Sequence, residues 1–283
     1  MKVATKGWTL LGLLVAVVVF FLAAGATSTR VTGDNLKMWS GTVDTTGTST
    51  ITATFSGSVS SIETGLAAQE YSASSGPSTV WGKDTSGGIS NLSSTTATFP
   101  KLTPTGTGEL YFGYGATDNP ASAGTTPGFR YATTSDDDVV AYDTTVSSAV
   151  QPTAKQSPAG VSGGLAVLMT ASAPNTARPT ISAVGILATN SGNNTSSLTT
   201  SPRHTGDLLV VTVKSSSPSV TASSVSGGGV TTWTRVAGPH TSYPDVGPGT
   251  LSNVLFGLCL LSLLALIVLG AASLVRRRRS RPS

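Results

Sequence analysis

In the stretch "STITATFSGSV" at residues 49–59, Ile51, Ala53 and Phe55 alternate with Thr50, Thr52 and Thr54. A period of two, with β-branched residues on the wet side, fits a strand buried on one face and does not fit a helix. The feature is decisive because the surrounding sequence is mostly Ser, Thr, Gly and Ala, a composition that would equally suit a disordered stalk. Short apolar runs recur at 65–71, 108–115, 137–143, 163–171, 179–187, 207–214 and 230–238, most of them closed by Gly, Pro, Asn or Asp. Strands closed by turn residues predict an all-β antiparallel sandwich or barrel. No stretch between the two ends of the chain sustains a period of 3.6, so helix is expected to be scarce.

The ends follow a different grammar. Lys2 and Lys6 precede an apolar run at 10–24, and Ala24, Gly25 and Ala26 supply the small residues of a signal-peptidase site, so residues 1–26 read as a secretory signal cut after Ala26. At the far end an uncharged run of twenty-two residues is bounded by Val254 and Val275. At about 1.5 Å rise per residue such a run spans a hydrocarbon core of about 30 Å. Arg276, Arg277, Arg278 and Arg279 follow at once and would stay on the cytoplasmic side as a stop-transfer signal. The expected layout is a signal peptide at 1–26, an outside domain at 27–240, a neck at 241–252, a transmembrane helix at 253–275 and a basic cytoplasmic tail at 276–283.

The formal charge of +4 is set by these ends, since seven of the seventeen basic residues lie in them. The outside part keeps ten basic against thirteen acidic residues, which argues against nucleic acid and against electrostatic adhesion to anionic lipid. The one cysteine, Cys259, falls within the apolar span, so no disulfide or thiolate metal site is available outside.

Three resemblances bear on architecture. Residues 6–15, "KGWTLLGLLV", resemble a type IV pilin leader, with Gly12 where that family usually carries Glu. Tyr243, Pro244, Asp245, Val246 and Gly247 resemble a degenerate sortase signal, with Tyr for Leu and Val for the Thr whose carbonyl is attacked. The third resemblance is the broadest. "GDLLVVTVK" and "GGGVTTWTRVAG" resemble the first strands of a jelly-roll module of secreted bacterial surface proteins. "LKMWSGTV", "STITATFSGSV", "LAAQEYS", "GELYFGYG", "GFRYAT", "VVAYD" and "GGLAVLMTA" are similar to its later strands. The order is reversed here, with later-type strands in 27–172 and early-type strands in 173–240, which implies one circularly permuted jelly-roll-like sandwich. "TRVTG" at 29–33 and "TRVAG" at 234–238 would then be the overlap left at the join. The two pieces would pair within one chain or, through a hinge near 173–180, between chains as a strand-exchanging polymer.

Few residues suggest chemistry. Asp136, Asp137 and Asp138 are expected in a solvated turn before Val139 rather than around calcium, because three consecutive residues of a strand do not face one ion. His204 and His240 are expected in loops, with Asp207 as a weak partner of His204. Glu63, Glu70 and Glu109 are expected at the surface. Exposed aromatics on a sandwich stack on sugar rings. Trp81, set in "SSGPSTVWGKDTSGG" and expected in a loop, heads the ligand-binding candidates with Tyr114 and Tyr131, whereas Trp39 and Trp233 are expected in the core. No catalytic residue, metal ligand or cofactor is identified.

The sequence therefore points to a non-enzymatic cell-surface structural or adhesion protein, held by a single pass with its N-terminal domain outside. Its expected partners are the membrane and cell-wall or host glycans or other surface proteins. The alternatives are a glycan-binding module using loop aromatics and a polymerising, pilin-like subunit.

Overall fold

The computed structural model describes residues 33–174 and 177–241. The expected signal peptide with Ala26, the sortase-like stretch, the span bounded by Val254 and Val275, and Arg276 to Arg279 lie outside the described residues. Among the described residues no helix is long and apolar enough to cross a membrane.

Fourteen strands carry the described chain: β1 Asn35–Thr42, β2 Ser49–Phe55, β3 Glu63–Ala73, β4 Val80–Thr98, β5 Glu109–Thr117, β6 Ala121–Ser122, β7 Arg130–Thr133, β8 Val139–Val146, β9 Thr153–Ser172, β10 Ile181–Asn193, β11 Ser197–Thr200, β12 Leu208–Ser215, β13 Ala222–Gly227 and β14 Thr234–Thr241. The all-β class is as expected, and all the strand pairings are antiparallel. Among the described residues a single 3-10 turn, at Gly76–Ser78, interrupts the pattern.

The strands form three sheets, ordered β10-β3-β12-β1-β14, β11-β2-β13 and β4-β9-β5-β8-β7, with β6 added to β9. The five-stranded sheet is the middle layer. Leu36, Met38, Tyr71, Leu208 and Val210 from one of its faces meet Phe112, Tyr114, Leu165 and Val167 of the six-stranded sheet. Trp39, Leu66, Val211 and Val213 from its other face meet Ile51, Ala53, Leu198 and Val225 of the three-stranded sheet. Burial on both faces explains why β12 is buried at every position and reads as a nearly unbroken apolar run. Half-buried β2 keeps the alternation, with Ile51 and Ala53 inside and Thr50, Thr52 and Thr54 exposed.

The outer face of the six-stranded sheet carries its own small core, in which Phe99 and Leu102 lie over Tyr111, Val139, Ala141 and Leu168. Tyr71 stitches the middle and six-stranded layers by edge-on contacts to Phe112 at 6.2 Å and Tyr142 at 5.8 Å.

Segments 35–172 and 181–241 interleave completely in the first two sheets. Each neighbour of β1, β2 or β3 there is β10, β11, β12, β13 or β14, so neither segment completes either sheet by itself. Register places the ends together: Asn35 lies opposite Thr241 on one side and Ser215 on the other. This basal end also holds Thr64, opposite Ser215, while Thr42, Tyr71, Ile181 and Leu208 mark the upper end.

Two expected loops are strands. Trp81 lies in β4, which runs nineteen residues along β9 with register shifts after Lys83, Asn91 and Ser94. Its Ser- and Gly-rich sequence lacks an apolar period because it is an edge strand held by backbone bonds. His240 lies in β14, where its Nε2 is 2.9 Å from the Ile89 carbonyl of β4.

Candidate functional site

Lys214 is the last residue but one of β12, and strand alternation puts it on the face of Leu208 and Val210, toward the six-stranded sheet. A lysine aimed into an apolar interface requires a counter-charge. Its Nζ lies 2.6 Å from Asp136 Oδ2 and 2.6 Å from Asp138 Oδ2, with the lysine side chain 7% exposed and the two carboxylates 4% and 0%. Both aspartates sit between β7 and β8, so the contact ties the middle sheet to the six-stranded sheet at the basal end. The solvated turn expected for Asp136 to Asp138 is thus corrected. Asp137 alone of the three is exposed, with a left-handed φ of 60°, while Asp136 and Asp138 turn inward on either side of it.

Three of the four carboxylate oxygens accept further hydrogen bonds. Tyr114 donates its hydroxyl to Asp138 Oδ2 at 2.7 Å, the Thr117 N–H donates to Asp138 Oδ1 at 2.8 Å, and the Thr134 hydroxyl donates to Asp136 Oδ1 at 2.5 Å. Gly65, paired with Lys214 across β3 and β12, makes room for the acid: a Cβ there would lie 2.8 Å from Asp136 Oδ2.

Asp34, just before β1, is a third acid in the field of this lysine. Burial pushes its carboxyl up to about 7 against the pull of Lys214. Burial likewise pushes Asp138 up to about 6, with Lys214 opposing and Asp136 adding repulsion. Desolvation works on Asp136 in the same direction, but Lys214 and the Thr134 hydroxyl hold that carboxyl below its ordinary value. For Lys214 burial disfavours the charge, and the surrounding Asp138, Asp34 and Asp136 more than offset it, raising its affinity for the proton. One cation shared by three acids keeps its charge, and the acids divide the protons among themselves.

The upper end carries a second cluster. Glu70, His204 and Asp207 bring one donor atom each within 4.8 Å of the others, a set that offers nitrogen and oxygen ligands to a divalent cation. Each is already engaged in holding a loop: Glu70 Oε1 accepts the N–H groups of Arg203 and His204 at 2.8 and 3.4 Å, and His204 Nδ1 lies 3.2 Å from Asp207 Oδ2. His204 is in the loop expected for it and does meet Asp207. Glu70 and Glu109 are buried rather than on the surface, Glu109 beside Arg178 at 3.4 Å, and they stand in different sheets.

The aromatic candidates do not come together as a platform. Tyr114 is 1% exposed and spends its hydroxyl on Asp138, which leaves no face for a sugar. Trp81 packs against the main core and donates its indole N–H to the Gly206 carbonyl at 2.8 Å, closing the upper end. Tyr131 is half-buried in β7 beside Phe129, over the outer core of the six-stranded sheet. Trp39 is buried as expected. Trp233 lies one residue ahead of β14, partly buried, and donates to the Gly227 carbonyl at 3.0 Å.

Sequence reasoning passed over Lys214, although a signal was present. In "LLVVTVK" the alternation that places Leu208 and Val210 inside places Lys214 inside too. No protein-family model, curated protein or solved structure matches this chain.

Proposed function

We propose that the chain is a non-enzymatic, membrane-anchored surface protein whose β domain serves structure or adhesion, standing on its basal end and presenting its upper end. The observation that carries this reading is the pairing of Asn35 with Thr241, which brings both flanks out side by side at one end. Twelve residues lie between Thr241 and Val254, a reach of at most about 45 Å when fully extended, so the basal end stays near the bilayer. Load from the anchor enters β14 at Thr241, and the Lys214 cluster ties two layers together at that same end.

The test is cell fractionation with protease added to intact cells whose outer layers admit it. The full chain should remain in the membrane fraction and lose its β domain, with the arginine tail protected; replacing the five tail arginines by serine should weaken that topology. Recovery in the cytosol would overturn the reading. Cleavage near Val246 with covalent attachment to cell wall would replace the bilayer by the wall as the anchor.

The finer architecture we propose is a circularly permuted jelly-roll-like module. It is supported by the interleaving of 35–172 with 181–241 and by the adjacency of Asn35 and Thr241, which a simple hairpin would join in the unpermuted order. A gene that joins 241 to 33 through a short linker and opens the chain within 174–180 should give a protein with a single cooperative melt close to that of the parent. Failure of that variant to fold would count against permutation.

A further inference from the structure

We propose that Lys214 and Asp138 are joined by an amide bond, a covalent tie between β12 of the middle sheet and the start of β8 in the six-stranded sheet. The inference concerns the domain itself and stands whether or not the protein is membrane-anchored.

The geometry places each group the condensation needs. Lys214 Nζ lies 2.6 Å from Asp138 Oδ2, and with bond lengths of about 1.33 and 1.23 Å an amide holds its nitrogen about 2.3 Å from its oxygen, a closing of a few tenths of an ångström. Attack of the nitrogen on Asp138 Cγ puts charge on the two carboxyl oxygens, and each already has a donor: the Thr117 N–H on Oδ1 and the Tyr114 hydroxyl on Oδ2. Asp136 Oδ2, 2.6 Å from the same nitrogen, is placed to take a proton from it. Its carboxyl is held below the ordinary value and so stands ionised beside the ammonium, whereas Asp138 is the acid that burial keeps near protonation; because the acids strengthen Lys214's hold on its proton, the transfer to Asp136 is the slow step.

The balance closes without a co-reactant. The ammonium has three protons; one stays on the amide nitrogen, and two leave with one carboxyl oxygen as water. The Nζ–Cγ bond forms, one Cγ–O bond breaks, and the positive and negative charges vanish together. Asp136 carries the proton from nitrogen to the departing oxygen and ends as a carboxylate, accepting from Thr134 and from the new amide N–H.

Two physical arguments favour the product. Groups fixed at contact distance react with effective concentrations of about 10⁵ to 10⁸ M. The ion pair also bears the desolvation cost of two buried charges, which a neutral amide does not. The room that Gly65 leaves for Asp136 keeps all three side chains at contact distance.

The experiment is peptide mapping of the full chain by mass spectrometry after denaturation and trypsin digestion. Trypsin does not cut after an acylated lysine. The expected result is that segment 131–155 appears joined to segment 204–235, one water lighter than their sum, with fragmentation placing the link between Asp138 and Lys214. In Lys214→Arg and Asp138→Ala the joined species should vanish, and in Asp136→Asn it should fall at least tenfold. Complete cleavage after Lys214 in the wild-type protein, with no joined species, would overturn the proposal regardless of how the variants fold. A link from Lys214 to Asp136 would overturn the assignment of acid and base.

Discussion

Two lysines sit nearly side by side in the middle sheet and face opposite layers. Leu36 pairs with Lys214 across β1 and β12, and Lys37 is the next residue of β1, so alternation sends Lys37 toward the three-stranded sheet while Lys214 faces the six-stranded one. Lys37 meets neutral acceptors: its Nζ donates to the Ala222 carbonyl at 2.7 Å and to Thr221 Oγ1 at 3.0 Å. Burial, reinforced by Arg235, lowers its hold on the proton. Lys214 is buried against carboxylates, and its hold on the proton rises. The same residue type in the same sheet thus becomes either a reluctant cation that ties layers by ordinary hydrogen bonds or a positive charge held between two buried carboxylates. What decides is the partner, not the depth of burial.

Lys214→Met tests that contrast with the largest expected effect. Where the amide has not formed, it removes the cation that Asp136 and Asp138 contact directly, leaving buried carboxylates without it, and should cost about 3 to 5 kcal/mol. Denaturant unfolding of the full chain in detergent reads this directly. A loss under about 1 kcal/mol would mean that the acids do not depend on the lysine.

The second test uses pH. The carboxyl of Asp34 titrates near 3.8 when unfolded and is pushed up to about 7 in the fold, chiefly by burial, so the folded state binds the extra proton between these values. Stability from this group is therefore present in full below about 4 and is lost as pH rises to about 7. Asp207, pushed up to about 6 by burial with Glu70 adding to it, contributes with the same sign over a narrower window. Asp138 adds to it in any molecule where it is not bonded to Lys214. The melting temperature of the full chain should fall from pH 4 to pH 7. Asp34→Asn should flatten the upper part of that fall. A melting temperature that rises over this range would show that Lys214 keeps Asp34 ionised.

The contrast between the lysines also shows what the sequence can and cannot reveal. Alternation is local, so β2 is legible from Ile51, Ala53 and Phe55, and the strand character of β12 from its apolar run. The layering is not local. The unbroken burial of β12 records a sheet covered on both faces, whereas a simple sandwich leaves one face of each sheet wet. In β4, small polar residues carry no period because backbone bonds to β9 hold the strand, and Trp81 therefore looks like a loop residue. The triple glycine ahead of Trp233 is legible as a turn, and all of Gly227, Gly228 and Gly229 adopt positive φ, at 79°, 71° and 74°. The partners of Lys214 lie 76 and 78 residues away, so the sequence can say that the lysine needs a counter-ion but not which acid supplies it.

The smallest effect is expected on the other face. Lys37→Met replaces a buried cation by an apolar chain of similar volume, and the charge that disappears has no ionised partner to strand. Its loss leaves the Ala222 carbonyl and the Thr221 hydroxyl without their donor, which costs about 1 to 2 kcal/mol. Relief of the lysine's own desolvation and of its repulsion from Arg235 offsets part of that. The net change should stay within about 1 kcal/mol by the same unfolding measurement, and Arg235→Gln added to Lys37→Met should cost more than the sum of the two single changes, because the repulsion between the two cations is relieved only once. If Lys37→Met proved as damaging as Lys214→Met, the neutral acceptors at Ala222 and Thr221 would be holding their layer as firmly as two carboxylates hold theirs, and the identity of the partner would not be what separates the two faces.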